Sequence, residues 1–517
     1  MFKNNSVFIT SVSLTFIFII LGIFFTDLLN EVFSASLTFI LRYFGWFIIL
    51  GSFFFLAFCV YLAFSKFGAI RLGDDNDKPS YSTVSWLAML FSAGIGVGLI
   101  FYGVAEPVMH FVNPPFAQET SAPADVAMKY TFLHWGLGAW SLFGFVALCV
   151  AYFQFRKKLP GLISSTFYPI LGEKIYGPIG KSIDSYSAFM TALNTSVVLG
   201  MTALQVTSGF NFLWGIPNTL TTQIILIGIV TVLFLISAST GLDRGIKYLS
   251  NLNFAIFFLL MALVLLIGPT IKILNIFINT TGIYLADLIP MSLHIGTFNN
   301  EATNWIESWT IFYWAWWVAW TPFVGGFIAR ISKGRTIKEF VIGVFIAPSV
   351  LSFLWFSIFG GGALHMIQEL NYTGLADTVS QDITLSMYAF LDYLPGGSFL
   401  SVIAALLLVT FFVTSADSAT FTLSVYCVNG DLNPSNKIKV VWGVIIAIGA
   451  VALLVSGGLS TVQNVAIVTT FPFFFLMVFM SYAIIKDIRK TKLPNQSLQF
   501  LSVDQKEKNM DMRKQAK

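Results

Sequence analysis

Four tryptophans lie close together in residues 311–323, which read IFYWAWWVAWTPF. They are Trp314, Trp316, Trp317 and Trp320. Tryptophan usually marks the rim of a bilayer, where its ring lies in hydrocarbon and its N–H reaches water. These four lie instead at the centre of an apolar run. On a helix their rings would cover a broad sector of one surface, which could form part of a ligand site.

A second aromatic group stands in the stretch HWGLGAW, which contributes Trp135 and Trp140, with Phe143 about one turn further on. Rings from two helices could enclose one ligand. Such an aromatic cage attracts a quaternary ammonium group by cation–π interaction, at about 0.5 to 2 kcal/mol per ring. The alternative is aromatic packing between helices, which explains any single ring more easily than it explains the whole cluster.

Hydroxyl side chains form two further groups in apolar segments. Thr191 and Thr195 are four residues apart and share a helix face, and Thr414 and Ser415 are adjacent. Oxygens without a full shell of carboxylates suit a monovalent hard cation, and we predict sodium. The alternative is that the hydroxyls bond back to carbonyls of the preceding turn. Asp417 is either functional, as acids in a membrane usually are, or bonded to nearby hydroxyls.

Glycine alternates with other residues in FSAGIGVGLIFYG, at Gly94, Gly96 and Gly98. Close helix packing of the small-xxx-small kind is one explanation. Glycine at every second position, however, favours an unwound helix whose carbonyls face a cavity. The tryptophan segment continues with Pro322 and a Gly-Gly pair at 325–326. We therefore predict that both segments are interrupted.

The chain that must position these residues has 517 residues, 56% hydrophobic and only 10% charged, with a mean hydropathy of +0.80. A soluble domain averages about 25% charged residues, so the sequence predicts an all-α polytopic membrane protein. A helix needs about 20 apolar residues to cross ~30 Å of hydrocarbon. The first segment is too long for a signal peptide and no A-x-A site follows it, so we expect it to be retained. We count twelve segments, at about 7–27, 45–65, 84–110, 127–155, 184–213, 222–241, 251–278, 308–330, 337–360, 397–427, 438–457 and 464–486.

Positive charge is distributed unevenly among the loops. Those after the even-numbered segments carry most of the Lys and Arg residues, whereas those after the odd-numbered segments offer only Arg42, Lys272 and Lys129. Because cytoplasmic loops carry the positive charge, we expect both termini in the cytoplasm. The polar tail 487–517 is expected to be disordered, with some attraction to anionic lipid.

Several classes of protein are disfavoured. The sequence has no nucleotide-binding loop and no soluble enzymatic domain, which argues against a primary pump, an enzyme, a bound cofactor or a nucleic-acid partner. Cys59, Cys149 and Cys427 lie in apolar segments and make no metal pattern. A secondary transporter, a cation channel or a membrane receptor remains.

The sequence resembles the betaine/choline/carnitine transporter (BCCT) family over essentially the whole chain. GIGVG resembles its G-x-G-x-G stretch, HWGLGAW its fourth-segment box, WAWWVAWTPFVGGFIAR its eighth-segment signature and FFVTSADS its tenth-segment signature. The resemblance implies a LeuT-type inverted repeat and a homotrimer in the plasma membrane. It also implies five parts of the chain: residues 1–83 with two additional helices, a first repeat at 84–278, an extracellular connector at 279–307, a second repeat at 308–486 and a tail at 487–517.

The resemblance also implies site residues. Trp317 would be the main cation–π surface, and Trp316 and Trp320 would close the cage towards the outside and the inside. The remaining substrate residues would be Trp135, Trp140, Phe143, Gly94, Gly96 and Gly98. Sodium would be held at one site by Thr191, Thr195 and Phe323, and at another by Ser92, Ile95, Phe411, Thr414 and Ser415, with Ser92, Ile95 and Phe411 acting through their carbonyls.

The implied function is sodium-coupled symport of a quaternary ammonium solute, glycine betaine first and choline or carnitine next. A sodium-independent exchanger is the alternative within the family. Three positions depart from the family pattern: Ile95 stands where Met is common, Phe143 where glycine betaine carriers often have Tyr, and Gly138 where many have His. These departures leave the substrate open.

Overall fold

A computed structural model describes residues 6–94, 96–115, 122–240, 247–431, 433–456 and 459–491. This described part is predominantly helical and contains no β-strand. The expectation of an all-α polytopic membrane protein is therefore confirmed. The helices are α1 (Ser6–Phe24), α2 (Thr26–Phe64), α3 (Thr83–Gly94), α4 (Gly96–Val112), α5 (Pro123–Trp135), α6 (Leu137–Ala151), α7 (Tyr168–Leu171), α8 (Pro178–Trp214), α9 (Leu220–Thr240), α10 (Lys247–Ile267), α11 (Thr270–Ser292), α12 (Asn300–Ile306), α13 (Phe312–Ile331), α14 (Ile337–Phe356), α15 (Gly362–Gln368), α16 (Thr373–Gln381), α17 (Ser386–Asp392), α18 (Gly397–Cys427), α19 (Asn436–Val455) and α20 (Leu459–Ile488).

Eleven helical spans in the described part are long and apolar enough to cross a membrane, and the bent pair α3–α4 makes a twelfth. This set matches the predicted number but differs in one member. It includes α11, which was not predicted as a separate span. The predicted segment 251–278 ends as a helix at Ile267, and α11 begins at Thr270 and continues into the predicted connector. It does not include α13, because the four tryptophans and the tyrosine of this helix lower its mean hydropathy. Most of α13 is nevertheless buried, as a central helix of a bundle must be.

The second predicted segment, 45–65, is only the C-terminal half of a longer helix. α2 begins at Thr26 and runs without interruption to Phe64. Residues 26–44 contain neither glycine nor proline, the residues that most often end a helix. The stretch read as a loop therefore continues the helix.

The glycine-rich segment is broken, as predicted. α3 ends at Gly94 and α4 begins at Gly96, and the axes on either side of this break differ in direction by 65°. Gly96 has a φ of +37°, a backbone conformation that a side chain makes costly. The glycine pattern thus permits the bend.

The predicted interruption of the tryptophan segment is wrong. α13 continues through Pro322 and both following glycines, and a π-helical turn, Glu307–Ile311, joins it to α12. Proline removes the N–H that would bond the carbonyl of Val318. The hydroxyl of Thr321 donates to that carbonyl instead, at 2.7 Å. The Tyr426 hydroxyl donates to the carbonyl of Pro322, at 2.6 Å, so the helix stays continuous.

The helices that carry the predicted sites are mutual neighbours. α13 packs against α6 along much of its length, and it also contacts α8, α18 and α3. α18 packs against α8, and α4 contacts both of them. Aromatic and hydroxyl residues that are far apart in sequence are thereby brought to the centre of one bundle.

Candidate substrate and ion sites

A cavity lies where α3, α4, α5, α6, α8, α13 and α18 meet. Eight of the nine residues predicted for the substrate site line it. Val97, Val198 and Ser415 complete its described lining. The eight are Gly94, Gly96, Gly98, Trp135, Phe143, Trp316, Trp317 and Trp320.

Trp317 lies at the centre of the ring contacts, which we call the cage. Its ring centroid is 5.3 Å from that of Trp135 and 4.9 Å from that of Phe143, in edge-to-face arrangements. Trp140, the ninth predicted residue, packs behind them, 5.7 Å from Phe143 and 6.2 Å from Trp317. The indole N–H of Trp317 donates to the carbonyl of His134, at 2.9 Å. The cage is therefore assembled by contacts between helices.

The glycines let the indoles approach the backbone of the broken segment. A Cβ on Gly94 would lie 2.6 Å from Cη2 of Trp140. A Cβ on Gly98 would lie 2.8 Å from Cη2 of Trp316 and 3.1 Å from Cη2 of Trp135. These distances are far below van der Waals contact, so the glycines are needed for the cage to close. The sequence analysis weighed close packing against carbonyls that face a cavity, and the structure shows close packing of the indoles on these glycines.

Trp316 and Trp320 stand one helical turn apart on α13 and bound the cavity along that helix. The ring of Trp316 stacks on Phe312, with centroids 5.8 Å apart, and meets Tyr102 edge-on at 5.5 Å. Trp320 lies 5.7 Å from Phe323. Each end of the cavity is therefore covered by a pair or trio of rings.

The first predicted ion site lies on α8 beside α13. The hydroxyls of Thr191 and Thr195 are buried and donate to the carbonyls of Ser187 and Thr191, at 2.8 and 2.7 Å. Phe323, the third predicted ligand, is buried on α13, which packs against α8. The back-bonded arrangement that we weighed as an alternative is thus present. A hydroxyl that donates its proton still has lone pairs to offer a cation.

The second predicted ion site is partly described. Ser415 lines the cavity, and its Oγ would lie 3.2 Å from a Cβ on Gly96. Thr414 donates to the carbonyl of Thr410 at 2.9 Å and accepts from Nδ2 of Asn253 at 2.6 Å. Phe411 is buried beside them on α18. Ile95 and the side chain of Ser92 lie outside the described residues.

Comparison with known proteins decides the family. A model of the family described as BCCT, betaine/carnitine/choline family transporter, matches residues 6–493. The chain belongs to this family. It is 46% identical to the glycine betaine transporter OpuD of Bacillus subtilis, over 94% of this chain and 95% of the relative.

Other relatives of this transporter carry different names. The ectoine/hydroxyectoine transporter of Virgibacillus pantothenticus is 41% identical, over 92% of this chain and 95% of the relative. The osmo-independent choline transporter BetT1 of Acinetobacter baylyi is 37% identical, over 86% of each chain. The resemblance read from the motifs is thereby confirmed.

Two polar residues that were not predicted from the sequence lie beside the sites of this transporter. Asn253 on α10 also donates to the carbonyl of Thr410, at 3.1 Å, and its side-chain oxygen has no hydrogen-bond partner among the described residues. Glu106 on α4 is fully buried and accepts a hydrogen bond from Nε1 of Trp135, at 2.6 Å. Glu106 could have been found as an acid inside an apolar segment, the same feature that made Asp417 a candidate.

Asp417 lies on α18 and bonds to a hydroxyl, although on another helix. Its Oδ2 accepts from Oγ of Ser237 on α9, at 2.6 Å. Lys439 donates nearby, to the carbonyl of Ala238 at 3.0 Å. Asp417 is not among the residues that line the cavity. Its visible contacts tie α9 to α18, which is the less specific of the two interpretations that we weighed.

Proposed function

We propose that this transporter carries a quaternary ammonium compatible solute, glycine betaine first, into the cell together with sodium. The observation that carries the proposal is the cage: indole and phenyl rings surround the cavity, and no charged side chain is among its described lining residues. A trimethylammonium group has no N–H to donate, so aromatic faces suit it better than a carboxylate would. The group would bind chiefly against Trp317.

The relatives support this substrate class. The names of the glycine betaine and choline transporters include two trimethylammonium solutes. The name of a third relative, the ectoine/hydroxyectoine transporter, gives two other solutes. Carnitine and choline remain alternatives to glycine betaine.

Sodium coupling is supported by the hydroxyl groups and by what is absent from the sequence around them. Segments 184–213 and 397–427 contain neither Lys nor Arg. The family resemblance implies that sodium-independent exchangers replace these oxygens with other groups, including a basic side chain. We propose Thr191, Thr195 and Phe323 for one sodium site, and Ser92, Ile95, Phe411, Thr414 and Ser415 for the other.

Two further cavities support alternating access. One includes Tyr102 and Phe312 in its lining, the two rings that pack on Trp316. The other includes Asp184 in its lining. Asp184 lies on the same face of α8 as Val198, which lines the cage cavity. That face also carries Thr191 and Thr195, because the successive spacings from Asp184 to Val198 are seven, four and three residues. We propose that the first cavity opens outward and the second inward.

The loop charges support placing both termini in the cytoplasm. The LeuT-type inverted repeat of residues 84–278 and 308–486, the homotrimer, and attraction of anionic lipid to the tail rest on the family resemblance and the tail composition. We keep them as part of the proposal.

The test is uptake in a transport-deficient host. Labelled glycine betaine, choline, carnitine and ectoine would be compared with sodium present and with sodium replaced by potassium. We expect saturable, sodium-dependent uptake, with glycine betaine preferred. Uptake that persists in potassium would support the exchanger, and current without substrate would support a channel; either result would overturn the proposed coupling.

A further inference from the structure

Glu106 is a buried carboxylate that lies within hydrogen-bond distance of four side chains. Its Oε1 lies 2.7 Å from Nδ1 of His134 and 3.1 Å from Nε2 of His110. Its Oε2 accepts from Nε1 of Trp135, at 2.6 Å, and from the hydroxyl of Tyr313. All five side chains are buried. Both carboxylate oxygens are therefore saturated by protein groups.

The contacts fit a cluster that carries one negative charge, with the carboxylate ionised and both imidazoles neutral. An ionised carboxylate only accepts hydrogen bonds, which is what four surrounding donors require. His134 can be neutral, because its Nε2 lies 2.9 Å from the Thr310 hydroxyl and can accept from it. His110 can also be neutral, since its Nδ1 has no partner among the described residues and a proton there would be an unpaired buried donor.

The charge lies directly behind a wall of the cage. The Trp135 indole connects the two, because its N–H donates to Glu106 while its ring lines the cavity and contacts the ring of Trp317. An indole whose N–H is bound to an anion has more electron density in its ring than one bound to a neutral group. Trp317, whose N–H donates to a neutral backbone carbonyl, lacks this effect.

We propose that Glu106 is a positioning residue that acts through Trp135. Its carboxylate fixes the indole in the cage wall and makes the potential in the cage more negative. The cage thereby prefers a cationic head group over a neutral group of the same shape. This inference rests on the proposed function, since it assumes that a trimethylammonium group binds among these rings.

The experiment compares glycine betaine with 3,3-dimethylbutanoate, in which a carbon atom replaces the ammonium nitrogen and the shape is kept. Dissociation constants of both ligands would be measured on the purified full-length chain in lipid, from the change in tryptophan fluorescence. We divide the dissociation constant of 3,3-dimethylbutanoate by that of glycine betaine. This ratio rises with the preference for a cationic head group. Glu106→Gln should lower this ratio by about threefold or more, a fraction of one cation–π contact. A purely structural role would weaken both ligands equally and leave the ratio unchanged, which would overturn the proposal.

Tyr313→Phe is the matched control, because it removes one donor from the same carboxylate but keeps the charge. The ratio should stay the same or rise, and a fall would overturn the proposal even if Glu106→Gln does not fold. In a Trp135→Phe background, which has no indole N–H, Glu106→Gln should change the ratio less than it does in the native chain. An equal change there would show that Glu106 does not act through Trp135. Absence of glycine betaine binding to the native chain would instead contradict the proposed function.

Discussion

The cage and the hydroxyl face of α8 lie side by side but satisfy their polar groups in different ways. The indole N–H groups of Trp317 and Trp135 donate to other helices, to the carbonyl of His134 and to Glu106. The hydroxyls of Thr191 and Thr195 donate within their own helix. The cage is thus held in place by tertiary contacts before any ligand arrives. The hydroxyls leave no unpaired donor when an ion departs, which suits a site that must release its ion.

The largest expected effect comes from removing the central ring of the cage. Trp317→Leu should keep the protein in the membrane, since the replacement is apolar, but lower the uptake efficiency, kcat/KM, at least about tenfold as a full cation–π face is lost. Labelled glycine betaine uptake, normalised to the amount of protein in the membrane, would measure this.

The matched control is Trp214→Leu. Trp214 ends α8, is 56% exposed and lies outside the cavity lining. We expect its replacement to leave uptake unchanged. Normal uptake by a well-expressed Trp317→Leu variant would contradict the assignment of Trp317 to the substrate site.

A somewhat smaller effect is expected from closing the space into which the indoles reach. Gly98→Ala places a methyl group 2.8 Å from Cη2 of Trp316, so the ring must shift, and overpacking of this kind costs about 1 to 3 kcal/mol. Uptake should fall severalfold or more. Gly228→Ala on α9, where a Cβ meets nothing within 4 Å, should be neutral. Equal uptake by the two variants would show that Gly98 does not shape the cage.

The cage could be predicted from the sequence because its residue types are unusual for their position. Several tryptophans in the middle of an apolar run are rare, and the structure brings the predicted rings into contact. Their N–H partners could not be predicted. Glu106 is 28 residues before His134 in the chain, and nothing in the local pattern around either residue shows that they meet.

The ion sites are harder to predict for a physical reason. Their proposed ligands are common hydroxyls and backbone carbonyls, and hydroxyls in helices usually bond back to the preceding turn whether or not they bind an ion. The continuity of α13 was missed for a related reason: Thr321 replaces the hydrogen bond that Pro322 removes, and this compensation depends on a rotamer. The break after Gly94 was predicted because glycine alternation acts on the backbone itself.

Removing one hydroxyl from each proposed ion site should have an intermediate effect. Thr195→Val and Ser415→Ala should each raise the sodium concentration needed for half-maximal uptake, by a few-fold, with little change in head-group preference. The hydroxyl of each side chain would otherwise be a ligand, so its loss weakens sodium rather than the solute. Uptake would be measured across a sodium series at saturating glycine betaine.

Thr231→Val is the control for a hydroxyl that only bonds back within its helix. Thr231 lies on α9 and donates to the carbonyl of Ile227, at 2.6 Å, much as Thr195 donates to Thr191. Its sodium curve should match that of the native chain. If Thr195→Val and Ser415→Ala give that same curve, these hydroxyls serve only their helices and the sodium assignment fails.

The smallest expected effect concerns the tail of the substrate rather than its head group. Phe143 lines the cavity and offers a ring face without a hydroxyl. Because cation–π attraction does not depend on a phenol O–H, the trimethylammonium group should bind well to the native cage, and proline, with its smaller secondary ammonium, should compete poorly. Phe143→Tyr adds one hydroxyl that can bond a carboxylate or an alcohol. It should change the ranking of glycine betaine, choline and carnitine by about 1 kcal/mol, the size of one net hydrogen bond. Competition assays against labelled glycine betaine would measure the ranking. An unchanged ranking, or native uptake inhibited as strongly by proline as by glycine betaine, would show that Phe143 lies in the cavity wall without contacting the substrate.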